Sequence, residues 1–456
     1  MKLSVRRMIY CAFFAMLVLL EGCSGGDDSS TTNITPVIED VVEPPIVIEH
    51  LPATLDVEFQ CDSEISAGLT TEMESAIVLA QSRYLDLLVK TTMSSSKYID
   101  YTSDSGEWEL QNATRWTSGF LPGVLWYLYG LSNDDLWREE ALASTSGVAF
   151  LSTATDNDTS FQIYSSYGIG REILGGTWDE ADVAIEEAAT TLFVQRFNPN
   201  IGAFRAWPQS ESDPFEITAS RPFEVNVDMI MNMEALLSAS ALSGNNEHYD
   251  AAVAHADVTW DQLIRSDFSS YHVAGFNSSG SLSYNRTHQG WVEDSTWSRG
   301  QAWAVYGYVM MFRYTELPRM LERSEKAYQY FKLATQAQGL NTIPYADFDA
   351  PIDIRNPLDT SASAIVAAAA IELYEMTGNT LYLNDANIIL NDLVQNYLSE
   401  GTDFESILLS GSEEYVAQDD AQIPRSSGYE VGASFGDFYF LEALYRLQNT
   451  VPPSCI

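Results

Sequence analysis

Apolar residues recur every three or four positions through most of the chain, which is the period of one buried face of an α-helix. Long stretches of alternating valine or threonine, which would predict strands, are absent. Turns rich in glycine and asparagine, such as 244–246 and 378–379, separate the periodic segments. The pattern predicts helices over 71–93, 118–131, 135–153, 159–174, 178–196, 226–243, 247–266, 296–316, 320–337, 360–377, 380–398 and 433–448.

Twelve helices in succession predict an all-α fold of six antiparallel hairpins, with an inner ring of helices wrapped by an outer ring. A superhelical repeat array would have a similar pattern. Residues 361–370 are almost all small or apolar, which is typical of a helix buried on every side. Asp158, Asp228 and Trp297 each fall near the start of a predicted helix, so a ring would bring them to one mouth.

The first residues have the order of a bacterial lipoprotein signal. Basic residues at positions 2, 6 and 7 precede an apolar run over 8–20 that is too short to span a membrane. The sequence Leu-Glu-Gly-Cys that ends at Cys23 resembles a lipobox, which predicts that Cys23 carries lipid. Ser24 supplies no acidic retention signal, so we expect the protein on the outer membrane, periplasmic or at the cell surface.

This start divides the chain into three predicted parts. Residues 1–22 are the signal peptide, residues 23–57 form a flexible tether rich in serine, glycine and aspartate, and 58–456 form one catalytic domain. Cys11 leaves with the signal, so Cys61 and Cys455 remain in the folded part. They either form a disulfide or stay as two thiols, and the bond is favoured because the ends of a domain often lie close together.

The chain is strongly acidic, with 64 Asp and Glu against 23 Lys and Arg and a net charge of −41. This balance argues against nucleic acid as a partner, since phosphates would be repelled. An anionic substrate would need a local cation, which draws attention to Arg115, Arg286, Arg299 and Arg355 near the motifs below. The alternative for each arginine is an ordinary surface ion pair.

Residues 294–303 concentrate side chains that suit a carbohydrate acid. Trp297 and Trp303 offer aromatic faces for a sugar ring, and Arg299 offers a planar fork for a carboxylate. Gln289 lies just upstream. The alternative is a helix start, in which Ser295 or Thr296 caps the helix and the tryptophans belong to the core.

Asp228 stands among apolar neighbours in the segment 225–231. A carboxyl group in such surroundings loses hydration of its anion, which favours the protonated form and general acid chemistry. Asp158 precedes Thr159 and Ser160 in a second segment of this kind. The alternative for both aspartates is the cap of a helix.

Five segments between about residues 110 and 365 resemble, in the same order, motifs of the unsaturated glucuronyl hydrolases (glycoside hydrolase family 88). They are WTSGFLPG at 116–123, DTSF at 158–161, VDMIMN at 227–232, DSTWSRGQAW at 294–303, and IPYADFD at 343–349 with DTSASA at 359–364. The resemblance implies an (α/α)6 barrel and a hydrolase that acts on oligosaccharides with a terminal unsaturated uronic acid. These are the products of a polysaccharide lyase, and they are anionic and in some polysaccharides sulfated.

The resemblance also implies roles for single residues. Asp228 would be the general acid and base, and Asp158 an ionised acceptor of sugar hydroxyls close enough to tune it. Asn157 stands where members of the family have a histidine, which removes one donor at this corner. The positions that match substrate-binding residues of the family are Trp116, His272, Gln289, Trp297, Arg299 (facing the uronate carboxylate) and Trp303.

The implied reaction is a hydration. Lyases leave a C4=C5 double bond, and protonation at C4 followed by attack of water at C5 gives a hemiketal that releases the partner sugar. One alternative is an unsaturated rhamnogalacturonyl hydrolase, which would differ in the leaving sugar. Another is a non-catalytic glycan-binding outer-membrane lipoprotein, which would need aromatics and an anchor but no buried acid.

No metal or cofactor is expected from the sequence. The five histidines have no cysteine partners and no H-x-x-x-H pair. A P-loop and a G-x-S-x-G elbow are both absent from the chain.

Overall fold

The structure is a computed structural model that describes residues 58–92, 94, 97–207, 223–352, 356–413 and 431–455. The predicted signal peptide and tether, with Cys23, lie outside the described residues, and so does Arg355. Among the described helices, none combines the length and the apolar character that a membrane span requires.

Helices dominate the described chain. The α-helices are α1 (Thr71–Thr91), α2 (Phe120–Ser132), α3 (Asp135–Ser146), α4 (Thr159–Ile163), α5 (Ile169–Ile173), α6 (Asp179–Arg196), α7 (Met233–Ser243), α8 (Asn246–Leu263), α9 (Ser298–Thr315), α10 (Pro318–Ala337), α11 (Thr360–Thr377), α12 (Thr380–Asn396) and α13 (Ser434–Asn449). A π-helical turn, Tyr164–Gly168, joins α4 to α5, so the two form one helical run. Counted in this way, each predicted helix has a counterpart in the structure.

Two predicted helices differ at their ends. The segment 135–153 divides at Gly147 into α3 and a 3₁₀ turn, Ala149–Thr153. The segment 226–243 becomes α-helical only at Met233, because Val227–Asn232 form a 3₁₀ turn. Asp228 is therefore the second residue of a tight turn that follows the extended Asn226, rather than part of a regular helix.

The inner helical runs form a closed ring. Helices α2, α4 with α5, α7, α9, α11 and α13 each contact the next, and α13 returns to α2. On the outside, α3, α6, α8, α10 and α12 pack against inner helices, and α1 packs against α12. A repeat array would stay open, so the closure of the ring within the described residues confirms the predicted (α/α)6 barrel.

Burial along the helices follows their place in the ring. Every residue of α11 from Thr360 to Tyr374 is buried, and four successive alanines at 367–370 let neighbouring helices approach closely. The outer helix α10 is buried only along a stripe that includes Met320, Ser324 and Ala327. The sequence pattern thus separates inner helices, apolar all round, from outer helices, apolar on one face.

Buried charges cross-link the interior of the ring. The Arg446 guanidinium on α13 contacts Glu372 of α11 at 2.9 Å and Glu442 at 2.8 Å. Arg313 on α9 contacts Glu372 at 3.1 Å and also pairs with Glu234 of α7. Burial raises the pKa of Glu234 to about 8, while Arg313 opposes that shift. Charged groups remain buried at acceptable cost only when paired in this way.

Short strands were not predicted. The strands are β1 (Tyr98–Thr102), β2 (Trp108–Gln111), β3 (Phe197–Asn198), β4 (Ala203–Phe204), β5 (Phe223–Asn226), β6 (Val273–Phe276) and β7 (Leu282–Arg286). They form three small antiparallel sheets, with orders β1-β2, β3-β4 and β5-β6-β7. Strands of two to five residues are too short for alternation to reveal.

The ends of the described chain are joined. Cys61 and Cys455 form a disulfide, with Cα atoms 5.7 Å apart. Beside it, the Gln60 amide donates to Asn379 Oδ1 at 3.1 Å, and the Thr380 amide donates to the Gln60 carbonyl at 2.9 Å. The segment before α1 is therefore tied to the turn between α11 and α12.

Candidate active site

A cavity of about 530 Å³ opens where the inner helical runs begin. Asp158 precedes α4, Asp228 lies in the turn before α7, and Trp297 precedes α9. The prediction that these residues meet at one mouth is therefore correct in the structure. The residues that line the cavity are Tyr101, Arg115, Trp116, Asn157, Asp158, Phe161, Trp207, Asn226, Asp228, His288, Gln289, Trp297, Arg299, Trp303 and Glu413.

The two carboxylate oxygens of Asp228 have different environments. Asn226 Nδ2 donates to Oδ2 at 2.8 Å, and His272 Nε2 lies 3.2 Å from the same oxygen. Oδ1 is buried and has no hydrogen-bond partner among the described residues. Oδ2 is thus the anchored oxygen, and Oδ1 is the oxygen left for a ligand.

His272 orients Asp228. Its Nδ1 accepts hydrogen bonds from the backbone amides of His288 and Gln289, each at 3.1 Å. Two donors on Nδ1 place the ring hydrogen on Nε2, which therefore donates to Asp228. The ring also packs on Trp297, with centroids 4.9 Å apart. His272 was predicted to bind substrate, but the structure gives it contacts with Asp228 and places it behind the cavity wall.

Asp158 lies beside Asp228 in the cavity and makes no hydrogen bond that caps α4. Burial raises the pKa of Asp158 to about 7, and the charges of Asp156 and Asp228 add to the shift. A second negative charge near Asp228 is unfavourable, so the proton is kept into the neutral range. The two aspartates lie close together as predicted, and the raised pKa of Asp158 runs against the ionised state that the sequence predicts for it.

Arg299 has a role in the structure that the sequence did not predict. Its side chain is only 1% exposed, and Nη1 lies 3.0 Å from Asp359 Oδ2. Nη1 and Nη2 also donate to the carbonyls of Ser412 and Glu413. The predicted ligand was the uronate carboxylate, but these donors already serve a buried carboxylate and two carbonyl groups.

Aromatic rings hold the Arg299 guanidinium between them. Its Cζ lies 4.6 Å from the Trp297 ring centroid and 4.7 Å from that of Phe435. Phe435 in turn stacks on Trp116, with centroids 5.5 Å apart and planes 28° apart. We call Trp116, Phe435, Arg299, Trp297 and His272 the mouth stack, because they follow one another across the cavity wall.

The three predicted tryptophans differ in what they offer a ligand. Trp116 is partly exposed, so its ring can contact a sugar, as predicted. Trp303 is 2% exposed and packs edge-on against Phe161, so it mainly shapes the wall. Trp297 is nearly as buried, but its Nε1 has no hydrogen-bond partner among the described residues.

Gln289 was predicted to bind substrate, and it lines the cavity. Its side-chain amide donates to the Glu413 carbonyl at 3.4 Å, and its backbone amide orients His272. The first contact joins the segment before α9 to Glu413, and the second joins it to His272, just before β6. Gln289 therefore supports the site as well as lining it.

Several cavity residues were missed from the sequence. Asn226 is the clearest, because it donates to Asp228 and its own Oδ1 has no hydrogen-bond partner among the described residues. Its position two residues before Asp228 was a possible signal, but its direction depends on the pairing of β5 with β6. Tyr101, Trp207 and Glu413 were also missed and belong to none of the recognised motifs.

Among the described residues, no group of three or more His, Cys, Asp or Glu side chains is arranged to hold a metal ion. The hydrogen bonds to Asp228 Oδ2 come from neutral donors of the protein itself.

A closed ring of helical hairpins, with two carboxyl groups and aromatic rings at its mouth, is an (α/α)6 barrel whose cavity suits a carbohydrate. No protein-family model matches the chain. The chain is 35% identical over 342 residues to an unsaturated glucuronyl hydrolase of Formosa agariphila, covering 74% of this chain and 80% of that protein. It is 28% identical over 384 residues to one of Bacillus sp. (strain GL1), covering 80% of this chain and 96% of that protein.

Solved structures agree with these relatives. An unsaturated glucuronyl hydrolase specific for heparin superposes with a TM-score of 0.71 at 29% identity, covering 83% of this chain and 96% of that one. The enzyme from Bacillus sp. GL1 superposes with a TM-score of 0.70 at 25% identity. The chain belongs to the unsaturated glucuronyl hydrolase family, and it is a glycosidase.

We predict that Arg299→Lys lowers the free energy of unfolding by roughly 2–4 kcal/mol, because an ammonium cannot serve Asp359 and two carbonyls together. Urea unfolding measures the change, and Arg319→Lys, in an exposed pair with Asp257, is the matched control. If Arg299→Lys unfolds like the wild type but binds substrate more weakly, Arg299 binds the uronate carboxylate after all. That outcome would contradict its structural role beside Asp359.

Proposed function

We propose that this enzyme hydrates the C4=C5 double bond of the terminal unsaturated uronic acid in lyase-generated oligosaccharides and releases the partner sugar. The observation that carries the proposal is the asymmetry of Asp228, whose Oδ2 is held by two donors while Oδ1 has no hydrogen-bond partner among the described residues. Oδ2 fixes the orientation of the carboxyl group, and Oδ1 can transfer a proton to the substrate.

The reaction balances with Asp228 alone as the proton carrier. When Asp228 holds the proton that it shares with Asp158, it gives that proton to C4, and positive charge develops at C5 and the ring oxygen. Asp228, now a carboxylate, takes a proton from the water that attacks C5, so the group returns to its starting state. The sum is one water added across the double bond. The hemiketal then opens and the partner sugar leaves.

The rest of the cavity supports the same ligand. Trp116 offers a partly exposed ring on which a sugar can lie. Asp158 lines the cavity and can hydrogen-bond a sugar hydroxyl. A pair of carboxyl groups acting on an anomeric carbon would be the ordinary glycosidase arrangement. The vinyl-ether route instead needs one acid that serves both proton transfers.

Relatives suggest the range of substrates. By name, one 26% identical relative, from Streptococcus pyogenes, acts on unsaturated chondroitin disaccharide. We propose the same class for this chain, namely anionic oligosaccharides that end in an unsaturated uronate. A rhamnogalacturonyl hydrolase is not favoured, since the named relatives are glucuronyl or chondroitin disaccharide hydrolases. A simple glycan-binding protein would have no need of an acid held by two donors, as Asp228 is.

We predict that Asp228→Asn folds like the wild type but loses turnover by at least roughly 10²–10⁴-fold, because one residue serves both proton transfers. The assay follows loss of the double bond in a panel of lyase-generated disaccharides. In D₂O, the wild type should place deuterium at C4 of the released keto-uronate. Cleavage of a saturated glucuronide at a similar rate, or product without deuterium at C4, would show attack at the anomeric carbon instead.

The titration of Asp158 gives a pH prediction. Its folded pKa is raised to about 7, so the proton is held below that pH and lost above it. We expect kcat/KM to fall as pH rises through about 7, because a second carboxylate then faces Asp228 and an anionic substrate. Asp158→Asn should not show this fall in kcat/KM, since asparagine does not titrate. Asp156→Asn should move the midpoint of the fall to lower pH, because one of the charges that raise the pKa of Asp158 is gone. If the fall in kcat/KM is unchanged in both variants, another group is responsible for it.

We propose that the enzyme is lipid-anchored to the outer membrane through Cys23. The support is the order of basic residues, apolar run and lipobox, which is typical of bacterial lipoproteins. In a Gram-negative host, Cys23→Ala should move the protein from the membrane fraction to the soluble fraction. Membrane association and electrophoretic mobility equal to those of the wild type would contradict the proposal.

A further inference from the structure

Two arginines, Arg115 and Arg299, are among the described residues that line the cavity. They differ sharply in what they offer a ligand. The Arg299 side chain is 1% exposed and is held by Asp359, whereas that of Arg115 is 39% exposed. An anionic substrate approaching a chain of net charge −41 needs a local cation, and Arg115 is the more accessible of the two.

Arg115 is fixed along one edge of its guanidinium. Its Nε lies 2.6 Å from Oδ2 of Asp100, a buried residue of β1. The Thr117 hydroxyl donates to the other oxygen of Asp100 at 3.0 Å, and Gln162 Nε2 donates to the Arg115 carbonyl at 2.7 Å. A cation held so firmly is already oriented before a ligand arrives.

The other edge of the guanidinium makes a looser contact. Arg115 Nη2 lies 3.6 Å from Oε1 of Glu413, beyond hydrogen-bond distance. Glu413 lines the same cavity, and its side chain is 32% exposed. A partly exposed ion pair of this kind contributes little stability, so another anion can replace the Glu413 carboxylate at small cost.

We propose that Arg115 binds an oxyanion of the substrate, and that this anion displaces Glu413. The inference rests on the proposed function and adds a second anchor to the same site. A carboxylate and a sulfate share the chemistry that a guanidinium recognises, namely paired oxygens in one plane. The uronate carboxylate or a sulfate on the partner sugar would supply it, and Glu413 sets the affinity by competing for the cation.

Steady-state kinetics of the full-length enzyme test this on unsaturated chondroitin disaccharides with and without a sulfate on the partner sugar. Arg115→Lys should lower kcat/KM roughly 10–100-fold, mainly through KM, because a charge-assisted fork is lost. Glu413→Gln should lower KM, because the competing carboxylate is gone. Glu413→Gln should have no such effect in the Arg115→Lys background. Arg138→Lys, in an exposed pair with Asp135 on α3, is the matched control.

The pattern of losses identifies the anion. If Arg115→Lys loses kcat/KM equally on both disaccharides, Arg115 binds the uronate carboxylate. If the loss occurs only on the sulfated disaccharide, Arg115 binds the sulfate. Kinetics of Arg115→Lys unchanged on both disaccharides, together with an unchanged KM of Glu413→Gln, would overturn the inference. If Arg115→Lys is too unstable to assay, the Glu413→Gln result decides alone, since that side chain is 32% exposed. A wild-type enzyme inactive on every unsaturated substrate would instead refute the proposed function.

Discussion

The contact between Arg299 and Asp359 is the interaction on which the mouth of the barrel depends. Arg299 lies in the first turn of α9, and Asp359 caps α11 by accepting the Ser361 amide at 3.1 Å. The guanidinium also holds the carbonyls of Ser412 and Glu413, and its Cζ lies 4.7 Å from the ring centroid of Phe435 in α13. Buried charges are stable only when every partner is in place, so one ion pair fixes the relative positions of three inner helices.

The mouth stack carries that constraint to both sides of the cavity. On one side Trp297 packs on His272, which donates to Asp228, so the orientation of the acid follows from the position of the guanidinium. On the other side Phe435 supports Trp116, the ring best placed to meet a sugar. The proton-transfer group and the sugar platform therefore stand on one rigid row of side chains. Catalysis needs such fixed geometry, because small displacements of reacting groups are costly.

The helices could be predicted from the sequence because the information is local. Periodicity within a few turns gave each helical run, and small residues at 361–370 marked an inner one. The clustering of Trp297 and Arg299 within three positions likewise marked the site. The partner of Arg299 could not be found in this way, because Asp359 is 60 positions away and meets it only when the ring closes.

The orientation of Asp228 and the protonation of Asp158 also depend on contacts between residues that are far apart in the sequence. Asp228 meets His272 across 44 positions, through the pairing of two four-residue strands too short to predict. The proton on Asp158 depends on the charge of Asp228, 70 positions later in the chain. Apolar flanks in the sequence drew attention to Asp228. They could not show that a backbone-held histidine and Asn226 would saturate one of its oxygens.

The disulfide lies at the end of the barrel opposite the cavity. Helix α11 starts at the mouth and runs for 18 residues, about 27 Å, to the turn where the segment around Gln60 is attached. Cys61 and Cys455 therefore join the first and last described segments far from the residues that line the cavity. The covalent link and the proton-transfer group occupy opposite ends of the ring, so the bond secures the two ends of the described chain without constraining the residues that would meet a substrate.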